Sequence, residues 1–374
     1  MTVRRYRIGV DVGGTHTDLV LYEVTTGALL VEKVPSTPNN PATGVLDGIA
    51  NFVRRGIDPA AIDFFAHGTT ITTNALLEMR GAKVGLLITK GYRAVQEIQN
   101  QARDGNLFDY FYQKPVPIAP QSLTREIAER TDYLGNVLIA LDGDAVRRAA
   151  RELKAAGVQS IAVCYLFSFM NPAHEQETRA LISSEFPGVH ISLSSEVLPR
   201  VREWPRLSTT LVNAYLEPVL VHYIGDLNRG LDAAGIRTRQ RFLMQSNGGV
   251  MPFAAAIAGG KTVHTLLSGP AAGAQAAAYL AGGLACPPGS AGVSPASKEE
   301  RAGGTPALPG EQARGPARYA AACAPAAGPE SSVCTVLPPA IAAANGITPP
   351  FDCIRKRWRV RMPAASRPRL RSPM

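Results

Sequence analysis

The sequence predicts an α/β fold with a largely parallel core, followed by a tail of different character. Strand patterns and helix patterns alternate along residues 7–285, which is the order expected when parallel strands are joined by helices. Of the 374 residues, 45% are hydrophobic and 18% are charged, as in a globular chain rather than a disordered or fibrous one. The length is sufficient for two or three domains.

The first predicted elements are a β-hairpin, a third strand and a helix. Residues 7–24 alternate apolar and polar side chains on both sides of Gly13 and Gly14, a pattern typical of a hairpin. A third strand is predicted over 28–36, and apolar residues at helical spacing predict a helix over 41–55. The elements that follow are a strand over 62–67, a loop and helix over 68–81, a strand over 83–89 and a helix over 91–101.

The second half of the alternation begins after a looser stretch over 103–140, in which residues 109–120 are predicted to be an extended connection. Apolar side chains on one face predict a helix over 142–156. The block 196–231 is predicted to be mostly helix, broken by its prolines. The other predicted elements are strands over 158–167, 190–197 and 241–247, helices over 172–185 and 271–282, and a turn at Gly248 and Gly249.

The C-terminal tail differs from the rest of the chain in charge and composition. Residues 286–374 hold 12 Lys and Arg against 5 Asp and Glu, so they carry +7 of the formal net charge of +9. They are rich in Pro, Gly, Ala and Ser without periodicity, which predicts disorder. The final basic run could be an arm for nucleic acid or an anionic surface, but basic runs at a terminus are usually just solvated, so we expect no nucleic-acid partner.

The sequence favours a cytoplasmic protein without a membrane partner. The longest apolar run, residues 161–167, is far shorter than the ~20 residues of a membrane-spanning helix. The first residues lack the apolar core and cleavage site of a secretory signal. Cys164 is the one cysteine before residue 286, and the cysteines show no zinc-ligand spacing.

The strongest local signal for function follows the first predicted strand. It combines two carboxylates, two glycines and two hydroxyls: Asp11, Gly13, Gly14, Thr15, Thr17 and Asp18. Backbone N–H groups of such a turn, with nearby hydroxyls, bind phosphate oxygens, and Asp11 is placed to hold Mg²⁺ through water. The alternative is an ordinary hairpin turn whose glycines only supply a positive φ. The carboxylates and hydroxyls exceed what that turn needs, which favours a phosphate site.

A second signal lies between a predicted strand and the helix after it: His67, Gly68, Thr69, Thr70 and Asn74. These residues lie where α/β proteins place ligand groups, beyond the carboxyl end of a strand. The alternative is a helix N-cap, which needs one hydroxyl rather than several. His67 could act as a general base or as a substrate hydrogen-bond partner, or it could be structural, and both interpretations stay open.

Three further segments are weaker candidates. Residues 200–213 present arginine, hydroxyl and amide side chains along a helix, which suits an anion but equally suits a charged, capped helix start. The small-residue turns at 246–249 and 268–273 allow a ligand to approach the backbone closely.

Other nucleotide-binding and hydrolytic patterns are missing from the sequence. Residues 259–262 resemble the end of a P-loop, but the position of its first glycine is Ala255. No G-x-G-x-x-G leads from a strand into a helix, so a dinucleotide site is not supported. No Ser-His-Asp or metalloprotease set competes with the phosphate site.

Six motifs in order resemble the hydantoinase A/5-oxoprolinase family, which includes a subunit of acetone carboxylases. They are DVGGTHTD, HGTTITTNALLEMRGAKVGLLITKGY, YLFSFMNPAHE, SSEVLPRVREWPRLSTTLVNAYLEPVL, MQSNGGV and LLSGPAAGA, and they span about residues 5–283. The resemblance implies the RNase H-like fold of the actin/Hsp70/sugar-kinase superfamily, in which two lobes close around ATP and Mg²⁺. It also implies the ATP-dependent opening of a cyclic amide such as 5-oxoproline, hydantoin or N-methylhydantoin.

The same resemblance suggests site residues and partners. It places Asp11, Gly13, Gly14, Thr15, Thr17 and Asp18 in an ATP phosphate loop, with Asp11 at the metal. It makes His67, Asn74, Arg202 and Glu203 candidate catalytic residues, and Gly68, Thr69, Thr70 and Asn213 candidate substrate or phosphate contacts. A hydantoinase B-type subunit or a second copy of the chain is the implied protein partner.

The sequence departs from the family pattern near residue 283. The expected second phosphate loop, resembling DMGGTSTD, does not follow, which suggests that the reading frame leaves the family sequence there. The predicted domains are therefore an N-terminal RNase H-like domain over 5–185, an incomplete hydantoinase A domain over 186–283 and a tail over 284–374. With one lobe of two, the chain is either derived from a cyclic-amide hydrolase or a non-catalytic lobe that depends on a partner.

Overall fold

The structure is a computed structural model that describes residues 4–37, 40–99, 110–112, 114–258, 261–274 and 276. The predicted tail over 284–374 lies outside the described residues. So does the end of the predicted helix over 271–282, whose described part is helical and continues a helix that begins at Ser268.

The strands of the described residues follow the predicted alternation closely. They are β1 (Tyr6–Val12), β2 (His16–Glu23), β3 (Leu29–Pro35), β4 (Ile62–Thr69), β5 (Val84–Thr89), β6 (Thr124–Ile127), β7 (Arg130–Thr131), β8 (Val137–Ile139), β9 (Ser160–Cys164), β10 (His190–Leu193), β11 (Arg241–Met244) and β12 (Val250–Pro252).

The helices of the described residues fall between and after these strands. They are α1 (Pro41–Arg54), α2 (Ile71–Leu77), α3 (Val95–Ile98), α4 (Gly143–Ala155), α5 (Ala173–Glu185), α6 (Ser194–Val197), α7 (Glu203–Ala233) and α8 (Phe253–Ile257).

The first sheet has the strand order β12-β11-β4-β1-β2-β3. β1, β2 and β3 form an antiparallel meander, whereas β4 is parallel to β1 and β11 is parallel to β4. An antiparallel meander flanked by parallel strands in the order 3-2-1-4-5 is the arrangement of an RNase H-like domain. The fold predicted from the motifs is therefore confirmed for the first lobe.

The second sheet has the order β10-β9-β5-β6, and all of its neighbouring strands are parallel. Its central strands β5 and β9 are wholly buried because helices pack on both faces, with α4 and α5 on one side. Fully buried parallel strands give continuous apolar runs rather than alternation, which is the pattern of residues 84–89 and 160–164.

Helix α7 joins the two sheets and corrects one prediction. It runs unbroken for 31 residues although Pro205 and Pro218 lie inside it, so the breaks predicted at these two prolines are wrong. The break predicted at Pro199 is present, because Pro199 lies between α6 and α7. Its first half packs on the second sheet through Leu207, Leu211 and neighbours, and its second half packs on the first sheet through Leu220 and Leu227. Burial of this many apolar side chains, each worth about 1.5–3 kcal/mol, exceeds the roughly 3 kcal/mol that an interior proline costs.

Three other predictions of secondary structure need correction. Within the stretch over 103–140 for which no regular element was predicted, the structure has β6 and the short hairpin of β7 and β8, all after the predicted extended connection over 109–120. The helix predicted over 91–101 is helical only over Val95–Ile98 among its described residues. The strand predicted over 190–197 ends at Leu193, and the remaining four residues form α6 instead.

The boundary predicted between residues 185 and 186 stays a prediction. Chain from both sides of it contributes to both sheets, because β10 pairs with β9 and β11 pairs with β4. None of the helices in the described part of the chain is both long enough and apolar enough to span a membrane.

Candidate functional site at the carboxyl edge of the first sheet

The parallel strands of the first sheet end together at one edge. Val12, the last residue of β1, is paired with Thr69, the last residue of β4. β11 runs parallel to β4 and ends at Met244. The β1–β2 turn and the β4–α2 connection therefore meet at the position where open α/β sheets place their ligands.

The β1–β2 turn is held in shape by the end of β3. The Gly13 N–H donates to the His16 carbonyl at 3.0 Å. Ser36 fixes the turn twice, because its hydroxyl donates to the Gly13 carbonyl at 2.8 Å and its N–H donates to the Thr15 carbonyl at 2.9 Å. Gly14 and Thr15 lie exposed at the tip. The turn is thus a firm loop that presents backbone to solvent, as a phosphate site requires.

Thr17 supports this turn from inside. Its side chain is fully buried, and its hydroxyl lies 3.0 Å from the Ser36 hydroxyl. A Cβ on Gly44 of α1 would lie 3.1 Å from the Thr17 hydroxyl, so the helix packs closely behind the turn. The structure places the Thr17 hydroxyl in the scaffold of the loop rather than on its open side.

The β4–α2 connection lies directly beside the turn. The Thr70 N–H and hydroxyl both lie 3.2 Å from the Val12 carbonyl that accepts them. The Asn74 amide donates to the Thr70 hydroxyl at 3.3 Å, and its nitrogen would lie 3.7 Å from a Cβ placed on Gly14. The two sequence signals, at residues 11–18 and 67–74, thus lie side by side, and Asn74 faces the glycine turn.

Two carboxylates lie side by side below the turn. Asp11 is the register partner of Asp18 in β2 and of Gly68 in β4, so the three residues share one face of the sheet. Partial burial raises the pKa of the Asp11 carboxyl, and the neighbouring Asp18 charge raises it further. A Cβ on Gly68 would lie only 3.2 Å from Asp11 Oδ1, so glycine there leaves the carboxylate free to face a ligand.

His67 lies in the interior rather than at the open edge. It is fully buried, and its Nε2 is hydrogen bonded to the Tyr223 hydroxyl of α7 at 2.7 Å. Burial lowers the pKa of His67 to about 4, so the ring is neutral near pH 7. Burial likewise raises the pKa of the Tyr223 hydroxyl. Of the two interpretations of His67, this placement favours the structural one.

Asn213 is also an interior residue. Its amide nitrogen donates to the Ser192 hydroxyl at 3.0 Å and to Glu217 Oε2 at 3.2 Å, and its oxygen accepts the Val263 N–H at 3.1 Å. These bonds tie α7 to β10 and to the short 3₁₀ turn at 262–265. The side-chain amide of Asn213 therefore bonds to other parts of the fold and holds them together.

Arg202 and Glu203 lie at the start of α7, near the second sheet. Arg202 is exposed and has a φ of +78°. Glu203 lines a small cavity together with Arg206, Cys164 and Ile88, which lies near the carboxyl ends of β5 and β9. The structure does not bring these two candidates into the cluster of Asp11, Gly14 and Asn74, and their catalytic role stays a prediction.

The structure adds Leu267 and Ser268 to the site, whereas residues 268–273, predicted to be a turn, form the start of a helix. The Ser268 hydroxyl donates to the Thr69 carbonyl at 3.1 Å, and the Leu267 N–H lies 3.4 Å from the Thr73 hydroxyl. Leu267 has a φ of +59°, a conformation that is strained for a leucine and often marks functional loops. Ser36 is a further residue that sequence reasoning missed, because a serine after a strand carries no distinctive pattern.

The residues at this edge fit a magnesium-bound phosphate group. Carboxylate oxygens are the ligands that Mg²⁺ prefers, and the glycine at position 68 leaves Asp11 unobstructed. Among the described residues no group of three or more His, Cys, Asp or Glu side chains could by itself hold a metal ion. A cation beside Asp11 would therefore need phosphate oxygens and water as its other ligands, which is the usual arrangement for Mg²⁺ with a nucleotide.

Comparison with known families gives two adjacent matches. Residues 7–186 match the model of the hydantoinase/oxoprolinase N-terminal region, and residues 206–286 match the hydantoinase/oxoprolinase model. The β1–β2 turn, the β4–α2 connection and α7 from Arg206 to its end fall within these matches.

Curated relatives agree with the family models. The chain is 35% identical over 287 residues to the caprolactamase subunit alpha of Pseudomonas jessenii, a match that covers 75% of this chain and 41% of that protein. It is 31% identical to the 5-oxoprolinase of Saccharomyces cerevisiae, covering 71% of this chain and 23% of that protein. It is 28% identical to the acetone carboxylase beta subunit of Xanthobacter autotrophicus, a match that covers 73% of this chain and 40% of that protein. The chain thus spans about two fifths, or less, of the length of these relatives.

Solved structures show the same relationship. The crystal structure of an ATP-dependent caprolactamase from Pseudomonas jessenii superposes with a TM-score of 0.66 at 34% identity, covering 75% of this chain and 41% of that one. The nucleotide-free structure of acetone carboxylase gives a TM-score of 0.65 at 27% identity, with the same coverage. Together with the strand order and the two family matches, these similarities show that the chain belongs to the hydantoinase/oxoprolinase family.

Proposed function

We propose that this chain is the nucleotide-binding lobe of an ATP-dependent hydrolase that opens a cyclic amide. The observation that carries the proposal is the edge cluster, in which Asp11, the Gly13-Gly14 turn and Asn74 converge beside the carboxyl ends of parallel strands. Two relatives named for such activities, a caprolactamase and a 5-oxoprolinase, support the reaction class.

The chemistry of the substrate explains why ATP would be needed. An amide is a poor electrophile. Transfer of a phosphoryl group from ATP to the ring carbonyl oxygen, with release of ADP, would give an imidate that water attacks more readily. The ring C–N bond would then break, and water would hydrolyse the resulting acyl phosphate to a carboxylate and free phosphate. The residues of this chain would hold the nucleotide: Gly14 and Thr15 at the tip of the turn would offer backbone N–H groups to phosphate oxygens, and Asp11 would orient Mg²⁺. The ring substrates that fit the proposal are 5-oxoproline, hydantoin and N-methylhydantoin.

A partner is part of the proposal. The relatives named caprolactamase subunit alpha and acetone carboxylase beta subunit are subunits of larger enzymes, and this chain spans 41% and 40% of their lengths. We propose that a hydantoinase B-type subunit or a second copy of the chain completes the enzyme. The alternative, a lobe without activity of its own, predicts nucleotide binding without turnover.

The test is ring-dependent ATP hydrolysis by the full chain, measured alone and with a co-expressed hydantoinase B-type subunit. We expect phosphate release that depends on 5-oxoproline, a hydantoin or caprolactam and that is lost in Asp11→Asn. Glu32→Gln is the matched control, because Glu32 lies on β3 and faces α1 through Asn51 and Arg55, away from the site. A rate of ATP hydrolysis that does not change with any ring compound, or that persists in Asp11→Asn, would contradict the proposal.

A further inference from the structure

A charged side chain from β3 stands next to the two carboxylates of the site. Lys33 is the register partner of Asp18, Asp18 is the register partner of Asp11, and Asp11 is the register partner of Gly68. The four residues therefore form one row across β3, β2, β1 and β4, on the same face of the sheet and one step below the glycine turn. We call this row the Asp11 rung.

Lys33 binds Asp18 directly. Its Nζ lies 2.9 Å from Asp18 Oδ1 and 3.3 Å from Oδ2, so the ammonium group is shared between both oxygens. The Lys33 side chain is 57% exposed and that of Asp18 is 46% exposed, so the pair is open to solvent and to a ligand. An exposed ion pair of this kind adds little to stability, between about 0 and 1 kcal/mol, which leaves its position in the site as its main consequence.

The position of Lys33 relative to the turn is fixed by its own strand. Ser36, three residues further on, is bonded to the Gly13 and Thr15 backbone. The end of the strand that carries Lys33 is thereby held against the turn, and the bond to Asp18 keeps the ammonium group on the Asp11 rung. The next position toward the middle of the sheet is Gly9, where a Cβ would meet nothing within 4 Å, so space is open above the rung.

We propose that Lys33 is a positioning residue of the phosphate site: it holds and neutralises Asp18, so that Asp11 alone faces the divalent cation. This inference rests on the proposed nucleotide function of the edge cluster. Two unpaired carboxylates would attract a bare divalent cation strongly but would repel the phosphates that accompany it. With Asp18 paired, the site carries one net negative charge and suits the cation together with its nucleotide.

The inference predicts opposite effects on two ligands in Lys33→Met. Mn²⁺ alone, followed by water-proton relaxation, should bind about threefold to tenfold more tightly because Asp18 is now unpaired. Mg-ATP, followed by calorimetry or ³¹P NMR, should bind about threefold to tenfold more weakly, because the site has gained a net negative charge. A purely structural role for Lys33 would weaken both ligands together.

Three variants complete the experiment on the full chain. Lys33→Met combined with Asp18→Asn restores the net charge of the row and should return both affinities to within about twofold of the original chain. Lys33→Arg keeps the charge and should behave like the original chain. Arg55→Met is the matched control, because it removes the cation from the ion pair with Glu32 on the opposite face of the same strand. It should change neither affinity.

The outcomes separate this inference from the proposed function. If Mg-ATP binds but both affinities fall together in Lys33→Met, or the double variant fails to restore them, the inference is overturned while the proposed function stands. If the original chain binds Mn²⁺ but not Mg-ATP, the proposed function fails, and tighter Mn²⁺ binding by Lys33→Met still supports the role of Lys33. If neither ligand binds the original chain, both are overturned.

Discussion

The buried histidine at position 67 should make the protein sensitive to acid in a way that one substitution removes. The perturbation is a fall in pH from 8 to 5, compared between the original chain and His67→Gln. His67 has an ordinary pKa of 6.5 when exposed and a pKa of about 4 in the folded protein, because burial disfavours the charged ring. The unfolded chain therefore takes up a proton at a higher pH than the folded one does, and stability is lost as the pH falls below 6.5.

The size of the loss follows from the difference between the two pKa values. Each unit corresponds to about 1.4 kcal/mol, so the difference between 6.5 and about 4 costs roughly 3 kcal/mol once the pH is below 4. At pH 5 the loss relative to pH 8 is about 2 kcal/mol. Since domains are stable by about 5–15 kcal/mol, a loss of this size is readily measured.

Urea unfolding at pH 8, 6.5 and 5 provides the assay. We expect the free energy of unfolding of the original chain to fall by about 2 kcal/mol more than that of His67→Gln between pH 8 and pH 5. His222→Gln is the control, because the His222 side chain is 81% exposed and its replacement should leave the pH dependence unchanged. Equal pH dependence in the original chain and in His67→Gln would refute the assignment of His67 as a neutral interior residue.

Two further predictions concern the site and its scaffold. Gly68→Ala places a Cβ 3.2 Å from Asp11 Oδ1 and should weaken Mg-ATP binding several-fold, whereas Gly9→Ala, one rung away with nothing within 4 Å, should leave the affinity unchanged in the same calorimetric titration. Equal affinity in Gly68→Ala and Gly9→Ala would show that Asp11 does not contact the ligand. Asn213→Ala leaves the Val263 N–H without its acceptor and should lower the free energy of unfolding by about 1–3 kcal/mol in urea, with nucleotide affinity preserved. Loss of nucleotide binding at unchanged stability would instead make Asn213 a site residue.

The parts of the fold that rest on local pattern are those that the sequence predicts well. The meander of β1 to β3 follows from strict alternation around a glycine pair, and α1 follows from helical spacing after a proline. The sequence does not predict the hairpin of β7 and β8, because its strands have only two and three residues. Its turn chemistry was nevertheless present, since the Asp132 carboxylate accepts the N–H groups of Leu134 and Asn136, each at 2.8 Å.

Helix α7 shows where a local rule gives way to tertiary packing. Proline lowers helix propensity wherever it occurs, so the sequence alone predicts a break at Pro218. The structure keeps the helix intact because its two halves are buried against different sheets, and a break would expose both contacts. That distribution of contacts depends on the order of strands in space, which no local pattern contains.

The candidate site divides in a similar way. The glycine turn and Asn74 were found because their motifs are unusual for their structural positions. Motif resemblance also selected His67 and Asn213, but it does not distinguish residues that contact a ligand from residues that hold the scaffold, and the structure buries both. The sequence did not point to Lys33 and Ser36, because their contacts with Asp18 and Gly13 come from pairing across strands. Neither residue has a distinctive sequence neighbourhood.

The most direct test of the central claim is binding of ATP to the full chain with and without Mg²⁺, measured by calorimetry and by ³¹P NMR at millimolar nucleotide. Because the site lies on one lobe, we predict measurable binding that requires Mg²⁺ and is lost in Asp11→Asn but retained in Glu32→Gln. Such a result would place the nucleotide at the carboxyl edge of the first sheet. Binding that is indifferent to Mg²⁺ and to Asp11→Asn, or no binding at any of these concentrations, would contradict the account.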